Sequence, residues 1–270
     1  MIHFLRTRCC ATAVALAMSA TCAQAQPPVA INPLLVKPVD QLRPDEVRYM
    51  QQRLSDWPDL GRYREANARV PAKQAGVPRV LFFGDSITQG WGEKDPAAFF
   101  PGKGYLNRGI SGQTTPQMLL RFGQDVVALQ PDVVVILAGT NDIAGNTGAS
   151  TQAMIEDNLH AMVELARVHG IRVVMASVLP VSEYPWMPGI EPAAKVRALN
   201  AALKQYAHAQ GLVYLDYYAV MANAAGGLDP ALAADGVHPT AKGYALMAPL
   251  AEAAIARALQ AAPRGAPGSH

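Results

Sequence analysis

Cysteine is nearly missing from this 270-residue chain, and the three present, Cys9, Cys10 and Cys22, all fall within the first 25 residues. Those residues carry Arg6 and Arg8, then an apolar Ala/Val/Leu/Met run from Ala11 to Ala20, then Ala23-Gln24-Ala25 before Gln26. This is the pattern of a secretory signal with an A-x-A cleavage site, and the cut is expected after Ala25. The mature chain would then hold no thiol, which suits export to a periplasm or the outside and excludes disulfides, cysteine nucleophiles and thiolate metal sites. Cys22 raises a lipoprotein alternative, but the preceding Ser19-Ala20-Thr21 is not a leucine-led small-residue run. Long apolar runs are missing as well. The core of the leader is far short of the ~20 residues that a membrane-spanning helix needs, and no later segment reaches that length. Nor is there an excess of one charge: 23 Lys and Arg face 21 Asp and Glu, interspersed, so neither nucleic acid nor an anionic membrane is expected as a partner.

Several motifs are absent. Neither Gly-x-Gly-x-x-Gly nor Gly-x-x-x-x-Gly-Lys-Ser/Thr follows the first strand-like run, which argues against a phosphate cradle. Ser86 is followed by Ile87-Thr88 rather than by the pattern Gly-x-Ser-x-Gly, which argues against an α/β-hydrolase elbow. Asp235-x-x-His238 offers ligand-type side chains, yet no second His, Asp or Glu cluster at ligand spacing accompanies it, so no metal is expected. His160, His169 and His208 lie on predicted helices and read as surface or packing residues.

What is present is a globular composition, half hydrophobic and 16% charged, long enough for one large α/β domain. The organising stretch is Val80-Leu81-Phe82-Phe83-Gly84-Asp85-Ser86, an apolar run that stops at a glycine and a polar turn. Short continuous apolar runs are the mark of buried parallel strands, and ligands in such sheets bind outside the strands' carboxyl ends. Further strands are predicted over 104–107, 132–138, 171–178 and 212–216. Helical patterns lie between them. One begins at Thr114-Thr115-Pro116 and runs through Met118, Leu119, Phe122, Val126 and Leu129. The next carries Ile155, Leu159, Met162 and Ala166 and is ended by Gly170; the last two span 192–210 and 241–259, the final one with a kink expected at Pro249. Strands alternating with helices imply a mostly parallel sheet, about five strands wide, covered on both faces. Residues 26–78 read as an N-terminal extension. Its Pro-rich part to about Gln41 is expected to be extended, and Val47, Met50 and Leu54 mark a structural helix followed by Trp57, Leu60 and Tyr63 as packing anchors. Residues 79–262 form the main domain, and 263–270 a disordered tail.

Candidate chemistry collects at the strand ends. A nucleophilic serine needs a base for its proton, the base needs a carboxylate on its other nitrogen, and the tetrahedral intermediate needs fixed donors. Ser86, His238, Asp235, Gly112 and Asn141 supply these roles, and the three-residue step from Asp235 to His238 lets one turn present both side chains together. Asp85 and Asp142 have simpler uses as loop-bracing acceptors.

In four ordered blocks the chain resembles the SGNH, or GDSL-type, esterases and lipases: Gly84-Asp85-Ser86-Ile87, Ser111-Gly112, Gly139-Thr140-Asn141-Asp142 and Asp235-x-x-His238. It departs from the family's frequent Gly-Asp-Thr at Gly112-Gln113-Thr114. The resemblance implies a three-layer α/β/α, flavodoxin-like fold, Ser86 as nucleophile, Asp235 and His238 as acid and base, and an oxyanion hole from Ser86, Gly112 and Asn141. It also implies hydrolysis of ester or thioester bonds without metal or organic cofactor. The expected function is thus that of a secreted serine esterase on small-molecule or carbohydrate acyl esters. Carbohydrate O-acetylesterase is the alternative, then lysophospholipase or thioesterase, and a non-catalytic ligand-binding module is the competitor from another class. No inserted lid separates the blocks, and the short segment from Leu179 to Glu191, stiffened by Pro180, Pro185 and Pro188, places Tyr184 and Trp186 as candidate pocket walls with Trp91 opposite. A shallow site of this kind favours short acyl groups.

Overall fold

The computed structural model describes residues 32–233 and 235–261; the expected leader with its cysteines, and the expected tail from 263, lie outside them. The extension contributes α1 (Pro33–Val36), α2 (Pro44–Ser55) and α3 (Arg64–Ala68). The main domain follows as β1 (Val80–Gly84), α4 (Ser86–Gln89), β2 (Leu106–Gly109), α5 (Thr115–Asp125), β3 (Val133–Leu137), α6 (Thr140–Ile143), α7 (Gln152–Val168), β4 (Arg172–Ala176), α8 (Pro192–Gln210), β5 (Val213–Leu215), α9 (Tyr218–Met221) and α10 (Ala241–Gln260). All strand pairs are parallel, in the order β2-β1-β3-β4-β5. The chain runs outward from β1 to β2 and then back across to β3, so the crevice where the strand order reverses opens at the carboxyl ends of β1 and β3.

Every residue of β1 and β3 is buried, which is why they appear in the sequence as unbroken apolar runs rather than alternating ones. Alternation shows instead in which layer each side chain enters. Leu81, Phe83, Val134, Ile136, Val173 and Met175 pack with Met118 and Phe122 of α5, Leu159 and Met162 of α7, and Leu199 and Leu203 of α8. Val80, Phe82, Val133, Val135 and Val174 face the other way, onto Met247, Ala251 and Ile255 of α10. The result is the expected three-layer α/β/α sandwich.

Helix ends follow local chemistry. Thr114 and Gln117 form a capping box at α5, the Thr151 hydroxyl accepts from Met154 N in the first turn of α7, and Gly211 closes α8 at φ 62°. Boundaries depart from expectation where backbone turns intervene. Gly104 sits at φ 63°, so the second strand starts at Leu106, two residues later than predicted. The run through Val126 and Leu129 is not one helix: α5 stops at Asp125, and Val127–Leu129 tightens into a 3-10 turn ended by left-handed Gln130. The segment before Gln41 is not simply extended either. Pro33 in the first turn and Asn32 accepting from Leu34 N start α1, and Val39–Gln41 is a 3-10 turn. α10 is assigned as one helix through Pro249.

The extension is tied to α5 and the loop before it by polar side chains. Gln113 Nε2 donates to Pro58 O (2.7 Å), Gln117 Nε2 to Trp57 O (2.6 Å), Gln124 Nε2 to Leu60 O (2.6 Å), and Asn67 Nδ2 to Asp125 (2.7 Å). Deeper in, the wholly buried Arg121 donates to Gly84 O (3.0 Å), Arg108 O (2.9 Å), Gln113 Oε1 (2.6 Å) and Asp125 Oδ2 (3.1 Å), with its guanidinium 4.1 Å from the centroid of the Phe83 ring. Replacing Arg121 by Met strips these acceptors and leaves Asp125 a buried charge without its cation. Urea unfolding should therefore show a loss of about 3 kcal/mol or more; a midpoint unchanged from wild type would contradict that role.

Candidate active site

The turn 235–238 is built to present two side chains at once. Asp235 Oδ1 accepts from the backbone N–H of Val237 (3.0 Å) and His238 (2.7 Å), which curls the chain around the carboxylate; Gly236 supplies the φ of 79° this needs. Val237 plugs into the core, and Thr240 caps α10 directly after. With the turn anchored at both ends, Asp235 Oδ2 lies 2.6 Å from His238 Nδ1, and His238 Nε2 lies 2.9 Å from Ser86 Oγ. A proton on Nδ1 facing the carboxylate leaves the Nε2 lone pair for the hydroxyl. Burial raises the Asp235 pKa, but the bonds from the His238 ring and from the two backbone N–H groups outweigh it, and the net shift is downward, keeping the carboxylate ionised.

Ser86 is placed by an equally crowded turn. Asp85 accepts from Ile87 N (3.0 Å) and so starts α4 at Ser86. The turn is pressed against the sheet where only glycine fits: a Cβ on Gly109 would stand 2.1 Å from Gln89 N, and one on Gly84 2.8 Å from Leu137 O. Asn107 Nδ2 holds Thr88 O and Trp91 O, and the Tyr244 hydroxyl holds Ile87 O. Around Ser86, the backbone N–H groups of Ser86 and Gly112 have no hydrogen-bond partner among the described residues. Gly112 reaches its position at φ 74°, and Asn141, buried in α6, brings its amide to the same cleft. Gln113, in place of the family's frequent Asp, is fully buried and bridges Arg121 to the extension.

The expected walls need correction. Trp91 does not line the cleft: it is buried under the loop in an aromatic cluster, 4.8 Å from Phe100, 5.1 Å from Tyr244 and 5.7 Å from Phe82 between ring centroids. Tyr184 is fully buried with its hydroxyl donating to Thr140 O (2.9 Å), so it braces α6. Trp186 does line the cleft, its ring 6.2 Å from that of His238. The opposite wall comes from the extension. Leu34, Leu35, Tyr49, Met50, Leu54 and Trp57 face Ser86 across a cleft of about 590 Å³. The helix around Met50 is thus not only structural, and Trp57 is wall rather than core. In the sequence Met50, Leu54 and Trp57 form only a sparse apolar stripe; the structure shows that α2 buries none of its residues.

Among the described residues no group of three His, Cys, Asp or Glu side chains is placed to hold a metal ion, and no helix is long and apolar enough to cross a membrane.

A hydroxyl, an imidazole and a carboxylate in line, beside unpartnered N–H donors at the reversal point of a parallel sheet, form the constellation of acyl-transferring serine hydrolases. The chain belongs to the GDSL-like lipase/acylhydrolase family, whose model matches residues 82–246. A crystal structure from Bacteroides fragilis, provisionally named an acylhydrolase, is 44% identical, with a TM-score of 0.74 over 76% of this chain and 99% of that one. An acetylxylan esterase of Xylanibacter ruminicola is 27% identical over 73% of this chain and 46% of its own length. An isoamyl acetate-hydrolyzing esterase 1 homolog of Bos taurus is 31% identical over 49% of this chain and 60% of its own. The chain therefore spans about half the length of the curated relatives it matches.

Two acids near the site are buried. Burial pushes the Asp85 carboxyl up to about 7, against the bond from Ile87 N and the nearby His238. Burial likewise pushes Asp142 up to about 6, against bonds from the Thr115 hydroxyl (2.6 Å) and N–H (3.0 Å). An unfolded Asp titrates near ~3.9. Between about pH 4 and 6 the folded chain holds a proton at Asp142 that the unfolded chain has lost, so this contribution to stability is present below pH 4 and lost as pH rises through 6. Asp142→Asn can still accept from Thr115 N and donate to its hydroxyl. Its urea midpoint should fall less steeply than that of wild type across this window; parallel profiles would show that Asp142 stays ionised in the folded protein.

Proposed function

We propose that the protein is an exported serine carboxylic ester hydrolase acting on short-acyl, acetyl-type esters. The observation that carries this is the line from Asp235 Oδ2 through His238 to Ser86 Oγ, with 2.6 Å and 2.9 Å contacts, ending beside two unpartnered backbone N–H groups. Ser86 Oγ adds to the ester carbonyl while its proton passes to His238 Nε2. The oxyanion is met by the N–H groups of Ser86 and Gly112 and by the amide of Asn141. Collapse expels the alcohol, which takes the proton from His238 and leaves an acyl-enzyme. Water then gives a proton to His238 and attacks the acyl carbon; the acid is released and Ser86 regains its hydroxyl. Export rests on the residue pattern of 1–25, and the division into leader, extension (26–78) and hydrolase domain (79–262) belongs to the same proposal.

The acyl preference draws on two supports. Two relatives are named for acetyl esters. The wall facing Ser86 is apolar but outward, with Leu54 83% and Leu35 47% exposed, so a long chain laid on it stays largely in water. Such a chain gains well below the about 0.8 kcal/mol of a fully buried methylene. The aromatic faces of Tyr49, Trp57 and Trp186 around the cleft favour a second reading, a sugar ring as the alcohol part and hence carbohydrate O-acetylesterase action. A non-catalytic binding module would have no need of the Ser86–His238–Asp235 line.

Ser86→Ala should abolish hydrolysis of p-nitrophenyl acetate in a protein that melts like wild type, and an organophosphonate should label wild-type Ser86; turnover by the folded variant would remove the nucleophile assignment. Across p-nitrophenyl esters, kcat/KM should peak between acetyl and butyryl and decline beyond about eight carbons. Efficiency still rising at about twelve to sixteen carbons would move the assignment to a lipase or lysophospholipase.

A further inference from the structure

Asn146 lies after α6, outside the four blocks, and touches both of the oxyanion donors that lie beyond the nucleophile's own loop. Its Nδ2 donates to Asn141 Oδ1 (2.8 Å) and to Gly112 O (3.2 Å), while its Oδ1 accepts from the indole Nε1 of Trp186 (3.0 Å). The directions of these bonds are fixed at both ends by groups with a single role. Indole N–H only donates, so the atom of Asn146 facing it is oxygen; the Gly112 carbonyl only accepts, so the atom facing that is nitrogen. Asn146 must then donate to Asn141, whose oxygen faces it and whose nitrogen turns the other way, to Gln113 O (3.0 Å) and Asp85 Oδ2 (3.4 Å), at the edge of the cleft.

We infer that Asn146 is a positioning residue and that Trp186 N–H, Asn146 and Asn141 form a relay that selects the amide orientation able to donate to the oxyanion. This rests on the reading of Asn141 as an oxyanion donor. The relay acts together with Gln113 O and Asp85 Oδ2, which accept from the nitrogen side; an amide rotated by half a turn would present its carbonyl oxygen where a developing negative charge would be repelled. The relay also gives Trp186 two functions: its ring walls the cleft beside His238, and its N–H starts the chain of bonds that ends at Asn141.

The test uses p-nitrophenyl acetate, with rates expressed per phosphonate-titrated site, on Asn141→Ala, Asn146→Ala, Asn146→Asp, Trp186→Phe and the Asn146→Ala/Trp186→Phe double variant. Asn146→Ala should lower kcat about tenfold and Trp186→Phe about threefold, the scale of one neutral hydrogen bond, with KM little changed. The double variant should be no slower than Asn146→Ala, because both changes interrupt one chain. Asn146→Asp, nearly isosteric but with no donor for Asn141 Oδ1 or Gly112 O, should be slower than Asn146→Ala. A role in packing alone predicts the reverse order. Multiplying losses in the double variant, a wild-type kcat in Trp186→Phe or a change confined to KM would each overturn the relay while leaving the esterase reading intact. If Asn141→Ala itself keeps its kcat, the oxyanion assignment falls and the relay with it.

Discussion

The buried guanidinium of Arg121 is the interaction on which the arrangement of the site depends. At the carboxyl edge of the sheet the loops that carry the site depart, and Gly84 O, which accepts from Ile110 N (3.0 Å), has a lone pair left for a side-chain donor. Arg121 takes the last carbonyl of β1, at Gly84, and that of Arg108 in β2, and it anchors Gln113 just beyond Gly112. Ser86 lies two residues past the first of these contacts and Gly112 one residue before the last. A rigid fork with five donors can serve such dispersed acceptors, whereas the point charge of lysine could not. Burying the charge is expensive, and the expense is offset by Asp125 one turn along α5 and by the face of Phe83.

Around this fixed frame the site keeps some donors unpaired, which runs against the usual satisfaction of polar groups near a core. Several neighbouring hydrogen-bonding groups are committed. Asp85 is spent on Ile87 and also on Asn141 Nδ2 (3.4 Å), Asp142 on Thr115, Gln89 Oε1 on Ser111 N and Asn107 on the end of the α4 turn. With these groups engaged elsewhere, the N–H groups of Ser86 and Gly112 stay without a partner among the described residues. Asp85 and Asp142 carry the cost of this order as buried acids with raised pKa values. They brace the site as the sequence suggested.

The layering and the Asp235–His238 pair were legible because each depends on short-range pattern, apolar runs closed by Gly84 and Gly139 and a three-residue step in one turn; Ser86, 152 residues from His238, was joined to them by the ordered blocks of the family resemblance. The walls were less so. Trp91, Tyr184 and Trp186 are all aromatic residues near strand ends, and only three-dimensional packing separates a ring stacked on Tyr244 from one bound to Thr140 and one open to solvent. Asn146 escaped notice for a similar reason. It belongs to no motif, and its meaning comes from partners 34 and 40 residues away. The extension was underestimated because Met50, Leu54 and Trp57 make an ordinary weak amphipathic pattern, and nothing local says that the stripe faces a cleft instead of a core.

That misplacement points to how the protein separates chemistry from recognition. The segment directly after α2 is held through its backbone, since Gln113, Gln117 and Gln124 all donate to main-chain carbonyls, at Pro58, Trp57 and Leu60, while Tyr63 and Asn67 further on are tied by their side chains. The side chains of Tyr49, Met50, Arg53 and Leu54 of α2 make no hydrogen bond to the rest of the described residues beyond one between Arg53 and Tyr49, consistent with that helix burying none of its residues. Changes at Tyr49, Met50, Arg53 or Leu54 alter what the cleft wall offers without loosening the attachment, whereas changes on the α5 side disturb wall and catalytic loops together, since Gln113 serves both. On the proposed reading of the cleft as the substrate site, α2 can vary while Arg121, Gln113 and the loop ends they hold stay constant.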